Sequence, residues 1–214
     1  MKKILPSVLA LILATLAHAD LTVTQKLVQG EPAKETTMTM KIKGDKVRLD
    51  VDPKMSTIMN IKSGDMQTLM HDQKIAMTIP GTLLKSLQRS QAQTAGVEGV
   101  KPTGNKETIS GFACEEYVMT TKDATVQVWV TKDLPAAEKL LKEMSGLVPD
   151  SNPLNDTMKN LNISGFPMRT IAEMPGGGKI TISVVAVNEN PLADADFSVP
   201  SSYKAMQMPA IPGR

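Results

Sequence analysis

The chain has 214 residues, 41% hydrophobic and only 3% aromatic, with 24 Lys and Arg against 22 Asp and Glu. One cysteine, Cys114, excludes an internal disulfide, and one cysteine with two histidines cannot build a zinc cluster. Near-neutral charge, with no basic run interleaved with aromatics, excludes an electrostatic nucleic-acid surface.

Residues 1–19 read as a secretory signal. Lys2 and Lys3 form a basic start, Leu5 to Leu16 an apolar run interrupted by Pro6, and Ala17-His18-Ala19 a small-x-small cleavage site. Cleavage before Asp20 leaves 195 residues carrying 22 basic and 22 acidic groups, the size of one domain. No cysteine follows the cleavage site, so no lipid anchor is expected there. No later apolar run reaches the ~20 residues of a membrane span. The expected location is periplasmic or secreted, with one domain over 20–204 and a Pro- and Met-rich tail over 205–214.

Leu21 to Gln29 begins the domain as a strand with Leu21, Val23 and Leu27 on one face. Gly30-Glu31-Pro32 turns the chain into Met38-Thr39-Met40-Lys41-Ile42-Lys43, apolar at every second position. The Gly44-Asp45 turn leads to Lys46-Val47-Arg48-Leu49-Asp50-Val51-Asp52, which alternates likewise. Met55 to Lys62, Met66 to His71 and Lys74 to Ile79 follow as short strands joined by tight turns, so these neighbours form an antiparallel meander. Pro80-Gly81-Thr82 ends it. Leu83 to Gln93 has helical spacing, and Ala95 to Lys106, Gly-rich and aperiodic, reads as a flexible loop. Strands resume at Glu107 to Ser110, Ala113 to Thr121 and Thr125 to Thr131. Asp133-Leu134-Pro135 opens a helix with Leu134, Ala137, Leu141 and Met144 on one face and Glu138 paired with Lys142 on the other. Pro149 to Ser164 is polar. Phe166 to Met174 and Lys179 to Asn188 form a last hairpin around Pro175-Gly176-Gly177-Gly178. The expected fold is mainly β (α+β): a curved, antiparallel, open half-barrel of about eleven strands with two or three helices on its concave face.

Few residues suggest catalysis, and no enzyme is expected. His71 reads as a solvated turn histidine and Cys114 as a buried, inert thiol. Glu115 and Glu116 are adjacent in a strand, so they point to opposite faces and cannot flank one substrate; whichever faces inward needs a partner such as Arg169 or a lysine. Gly176-Gly177-Gly178 lies between strands and is a hairpin turn rather than a phosphate loop. Asp150, Asn152, Asn155 and Asp156 lack the spacing of a calcium loop. Asn155-Asp156-Thr157 and Asn162-Ile163-Ser164 match the glycosylation sequon. Methionine is abundant, with 14 copies after the signal. The pairs Met38/Met40, Met206/Met208, Met55/Met59 and Met66/Met70 each share a face, which suits an adaptable apolar lining and, as an alternative, thioether binding of Cu(I). No cofactor is expected.

Several stretches, in order, resemble a known group: Ile109-Ser110-Gly111-Phe112-Ala113-Cys114-Glu115-Glu116-Tyr117, then Val128-Trp129-Val130-Thr131-Lys132-Asp133-Leu134-Pro135. Gly165-Phe166-Pro167-Met168 and Phe197-Ser198-Val199-Pro200-Ser201-Ser202-Tyr203 complete the set. Together they resemble an uncharacterised family of exported bacterial proteins usually placed with the LolA/LolB-like lipoprotein carriers. The resemblance implies an unclosed curved sheet with helices in its concave face, and relatives that hold lipoprotein acyl chains or sense envelope proteins or lipids.

The expected function is an exported, non-enzymatic protein that holds an acyl chain, lipid or lipoprotein. Met38, Met40, Ile42, Val47, Leu49, Val51, Met59, Ile61, Met77 and Trp129 are its expected lining, with Leu134–Leu147 and Ala95–Lys106 as lids. The alternative is a filled core that acts through its surface on another envelope protein.

Overall fold

The computed structural model describes residues 20–83, 97–121, 124–145, 164–174 and 176–207. The expected signal, most of the expected Leu83–Gln93 helix, the Asp150–Asp156 loop and both sequons except Ser164 lie outside them.

The described strands are β1 (Leu21–Gln29), β2 (Lys34–Lys43), β3 (Lys46–Val51), β4 (Met55–Asn60), β5 (Met66–Met70) and β6 (Ile75–Ile79), then β7 (Val97–Ile109), β8 (Phe112–Thr121) and β9 (Thr125–Thr131). A helix, α1 (Pro135–Ser145), precedes β10 (Phe166–Glu173), β11 (Lys179–Asn188) and β12 (Lys204–Gln207). They make one open sheet in the order β12-β6-β5-β4-β3-β2-β1-β11-β10-β9-β8-β7. Every pairing is antiparallel except β12 on β6. Two meanders, β1 to β6 and β7 to β11, therefore meet at a seam where the first strand pairs with β11.

Three expectations need correction. The segment read as a flexible loop, Ala95 to Lys106, instead contributes most of β7, an edge strand 13 residues long. Its glycines and polar residues reflect an exposed edge, and its ladder to β8 slips between Val97 and Gly99 and between Pro102 and Lys106. That pairing also removes it as a lid. Secondly, β12 carries the sheet past the boundary expected at 204. Thirdly, α1 is no hinged cover, because Leu134, Ala137 and Leu140 are at most 2% exposed in the main core with Leu21, Val23, Ile42 and Val47. An i, i+4 ion pair on α1 joins Lys139 to Glu143 at 3.8 Å.

The face opposite α1 is crossed by the segment from 189 to 203. Its 3-10 turn, Asp194–Phe197, places Phe197 against Ile58, Leu69 and Ala76, with Leu192, Val199 and Tyr203 around it. Charge fastens this strap. Lys43 Nζ reaches Asp194 at 2.9 Å and the Leu192 carbonyl at 2.5 Å. Lys41 meets Asp196 at 3.0 Å, and Arg48 donates to the Asp196 carbonyl at 2.8 Å.

Candidate functional site

Directly opposed residues in a ladder point to the same side of a sheet, so the register assigns faces. One row runs Met38, Val51, Met55, Met70, Ile75. A second runs Met40, Leu49, Thr57, Thr68, Met77 and Met206. A third runs Ile42, Val47, Met59, Met66, Ile79. Ile61 continues the parity of Met59. Nine of the ten expected lining residues thus share one face.

That face is graded. Ile42, Val47 and Ile61 are 4–6% exposed and lie in the same core cluster as α1. Met40, half-buried, packs against that cluster, and Met38, Leu49, Val51, Met59 and Met77 are half-buried outside it. Met55 and Met206 are exposed, at 39% and 49%. Met55, Met66, Met70 and Met206 were not in the expected lining, although their alternation with polar neighbours carries the signal. A cleft of about 260 Å³ opens beside α1, lined by Ile42, Gly44, Ile61, Pro135, Ala136, Lys139, Leu140 and Glu143.

Trp129 comes from the other meander, in β9. It pairs with Glu116 in β8 and Arg169 in β10, and that row continues through Ser183 and Lys26 to Thr37. Thr37 faces away from Met38 along this ladder, while Trp129, half-buried, packs against the main core cluster, as Met40 does. The Arg169 guanidinium stacks over its ring at 5.5 Å while donating to both oxygens of Glu107, at 2.8 and 3.0 Å. Glu115 is exposed and Glu116 buried, as alternation requires. The partners of Glu116 are not Arg169 or a lysine, however. Thr103 Oγ1 and Asn105 Nδ2 donate to it at 2.8 and 2.6 Å.

His71 is not a solvated turn residue. Its Nε2 lies 2.6 Å from Ser56 Oγ and its Nδ1 2.6 Å from the Tyr203 hydroxyl. Ser56, only 1% exposed, gives its hydrogen to Asp50 at 2.5 Å. Its oxygen accepts from Arg48 at 3.0 Å and must therefore accept from His71 as well. In the neutral ring this puts the hydrogen on Nε2 and leaves Nδ1 to accept from Tyr203. A nucleophilic serine needs the opposite polarity, with the histidine accepting its hydrogen. The arrangement joins strap to sheet.

Cys114 is 2% exposed, its Sγ 3.3 Å from the Phe112 carbonyl, and burial pushes the thiol above its ordinary range. It lines a second cleft, of about 340 Å³, with Glu107, Tyr117, Val130 and Asp133. No three His, Cys, Asp or Glu side chains among the described residues are grouped to hold a metal.

The geometry defines a mainly β protein built on one open sheet, with a helix and an apolar, methionine-rich surface on one face and a charged strap on the other. The chain belongs to the DUF4412 family, a domain of unknown function, whose model matches residues 22–203. None of the curated proteins matches it. Among solved structures it is similar to PNGF-II, at 13% identity and a TM-score of 0.49, over 89% of this chain and 32% of that one, so it spans about a third of PNGF-II. It is also similar to a LolA superfamily protein from Nitrosomonas europaea, at 13% identity and a TM-score of 0.37, over 85% and 91% of the two chains. A DUF1329 family protein from Desulfovibrio piger matches at 11% identity and a TM-score of 0.35, over 84% and 90%. No helix among the described residues is long and apolar enough to cross a membrane.

Proposed function

We propose that this is an exported, non-enzymatic binding protein whose methionine face takes the apolar chain of a lipid, an acyl group or a lipoprotein. The observation that supports it is the alignment of three largely apolar rows over β2 to β6, broken by Thr57 and Thr68 and half-buried outside the helix cluster. The ten residues of β2 extend about 33 Å, enough to lie along an acyl chain. Each methylene buried there contributes ~0.8 kcal/mol without a charged contact. Thioether side chains are flexible and polarizable, so they mould to chains of differing length. Among the described residues, Ser56 is turned away from nucleophilic use and Cys114 is buried, which supports a role without catalysis.

One observation favours the alternative of a surface-acting envelope protein. The cleft beside α1 holds about 260 Å³, below the ~300 Å³ at which ligand pockets begin. The larger cleft, of about 340 Å³, lies by Cys114 and is lined by none of the row residues, so a ligand of the methionine rows would lie on the open face, and the same face fits a partner protein.

Native mass spectrometry of protein purified gently from its host, with organic extraction, tests the two. A co-purifying lipid or acylated peptide, lost on Met59→Lys substitution, is the expected result. A bare mass that does not shift with added lipid overturns the ligand reading and leaves the partner-protein one. A shift with Cu(I) alone points to the thioethers instead.

A further inference from the structure

Eight methionines occupy the three rows, and in three places they face each other directly across a ladder: Met59 with Met66, Met55 with Met70, and Met77 with Met206. Valine and isoleucine are better strand formers and equally apolar. What methionine adds is flexibility and a sulfur open to oxidation. The rows on β2 to β6 hold no aromatic residue and no cysteine to intercept an oxidant first. Their side chains are accessible, with Met55 and Met206 39% and 49% exposed and the other six half-buried. Met168 in the core is 0% exposed, and Met174, 42% exposed, lies beyond β10 outside the rows. The molecule thus carries its own protected and off-face references.

We propose that the methionine face is a reversible oxidation site that switches off apolar binding, a step that rests on the ligand reading above. Hypochlorous acid transfers its oxygen to a thioether: an S–O bond forms, the O–Cl bond breaks, sulfur loses two electrons, and chloride and a proton leave. The sulfoxide is polar, so the face loses its affinity for an apolar chain. The sheet survives, because its ladders are backbone bonds and the buried core is untouched. A sulfoxide reductase driven by a dithiol reverses the step, releasing the oxygen as water and leaving a disulfide in the reductant.

The test treats the full-length protein with graded hypochlorous acid, removes the oxidant, maps sulfoxides by peptide mass spectrometry and titrates dansyl-undecanoic acid. Met55, Met206 and their row neighbours should oxidise before Met168. Probe affinity should fall about tenfold with the circular dichroism spectrum retained, and return after reductase treatment. A quadruple M55L/M59L/M66L/M70L variant, compared with its own unoxidised form, should lose less affinity on oxidation than the unmutated protein, since four of the eight row sulfurs are gone. Should that variant not fold, reductase rescue of the unmutated protein decides. Unchanged probe affinity with row sulfoxides in place overturns the switch alone, as does loss of affinity that follows Met174 oxidation. Failure of the unoxidised protein to bind the probe overturns the ligand reading, and the switch with it.

Discussion

The Tyr203 hydroxyl donates to Nδ1 of His71 across 2.6 Å, joining two residues 132 positions apart. The two rings also meet edge to face, with centroids 5.9 Å apart. This contact ends the strap where the chain enters β12. Tyr203→Phe keeps the ring and leaves the imidazole nitrogen without its donor, which should cost about 1–2 kcal/mol in urea unfolding. Ser56→Ala should cost at least as much, because it removes the acceptor of His71 Nε2 and of one Arg48 N–H and a donor to Asp50 at a site 1% exposed, although Arg48 and Asp50 keep their own ion pair. A double-mutant cycle on His71 and Tyr203 should give a coupling well above the few tenths expected of unconnected sites.

The strap should loosen in acid. Lys43 beside Asp194 and Lys41 beside Asp196 hold both carboxyl groups below the usual aspartate range. A carboxylate whose folded pKa is depressed stabilises the fold above its unfolded pKa, near 3.8, and that contribution disappears as pH falls through the lower folded value. Asp65 behaves alike, held down by the Gly81 N–H and the Ser63 hydroxyl. Urea midpoints should therefore be flat from pH 7 to about 5 and drop below it. Asp196→Asn should lower the plateau and flatten the acid limb. An acid limb equally steep in that variant would place the lost protons elsewhere.

Trp129 is the single tryptophan, so its emission reports one place. Arg169→Met removes both the guanidinium over the ring and the bidentate bond to Glu107. The expected result is an altered emission maximum and a loss of about 1 kcal/mol, partly relieved at high salt in the unmutated protein because the pair is partly exposed. Glu107→Gln should reproduce the stability loss but leave the ring stacked.

Gly165 enters β10 at φ +122°, and a Cβ there would overlap the Thr131 carbonyl oxygen and sit 2.8 Å from Val130 Cγ1. Gly165→Ala should cost ~2 kcal/mol or more, read as a lowered thermal midpoint. Gly104, also at positive φ but with open space around it, should tolerate alanine at smaller cost.

The buried thiol supplies a probe of opening. Cys114 should resist Ellman's reagent in the native state and react at once in denaturant, with a native rate that follows global stability across the variants above. Fast native labelling would mean that the β7–β8 edge opens on its own.

How far the sequence could be read depends on where the information sits. Alternation within a strand is local, and Met38 to Val51 declared their faces without help from the rest of the chain. The relation between distant strands is set by pairing register, which is not local. The ladder slips once between Thr24 and Gln25 and again between Pro167 and Arg169, so parity cannot be carried by counting from β2 to β9. The edge strand β7 looked like a loop because an exposed edge favours glycine, lysine and proline over a hydrophobic period. His71 gave no signal at all. Its partners come from 15 and 132 residues away, and only the folded chain collects them.

The seam between β1 and β11 sets an order of events during synthesis. A growing chain makes β1 first and can close the β1–β6 meander almost immediately, from turns of a few residues. It must then hold the far edge of β1 unpaired until residue 188 has emerged, and the edge of β6 until β12 follows. Half the sheet waits with two open flanks and a surface rich in thioethers, the condition under which nascent chains stick to one another. A chain held short of residue 188 should therefore self-associate where the whole chain does not.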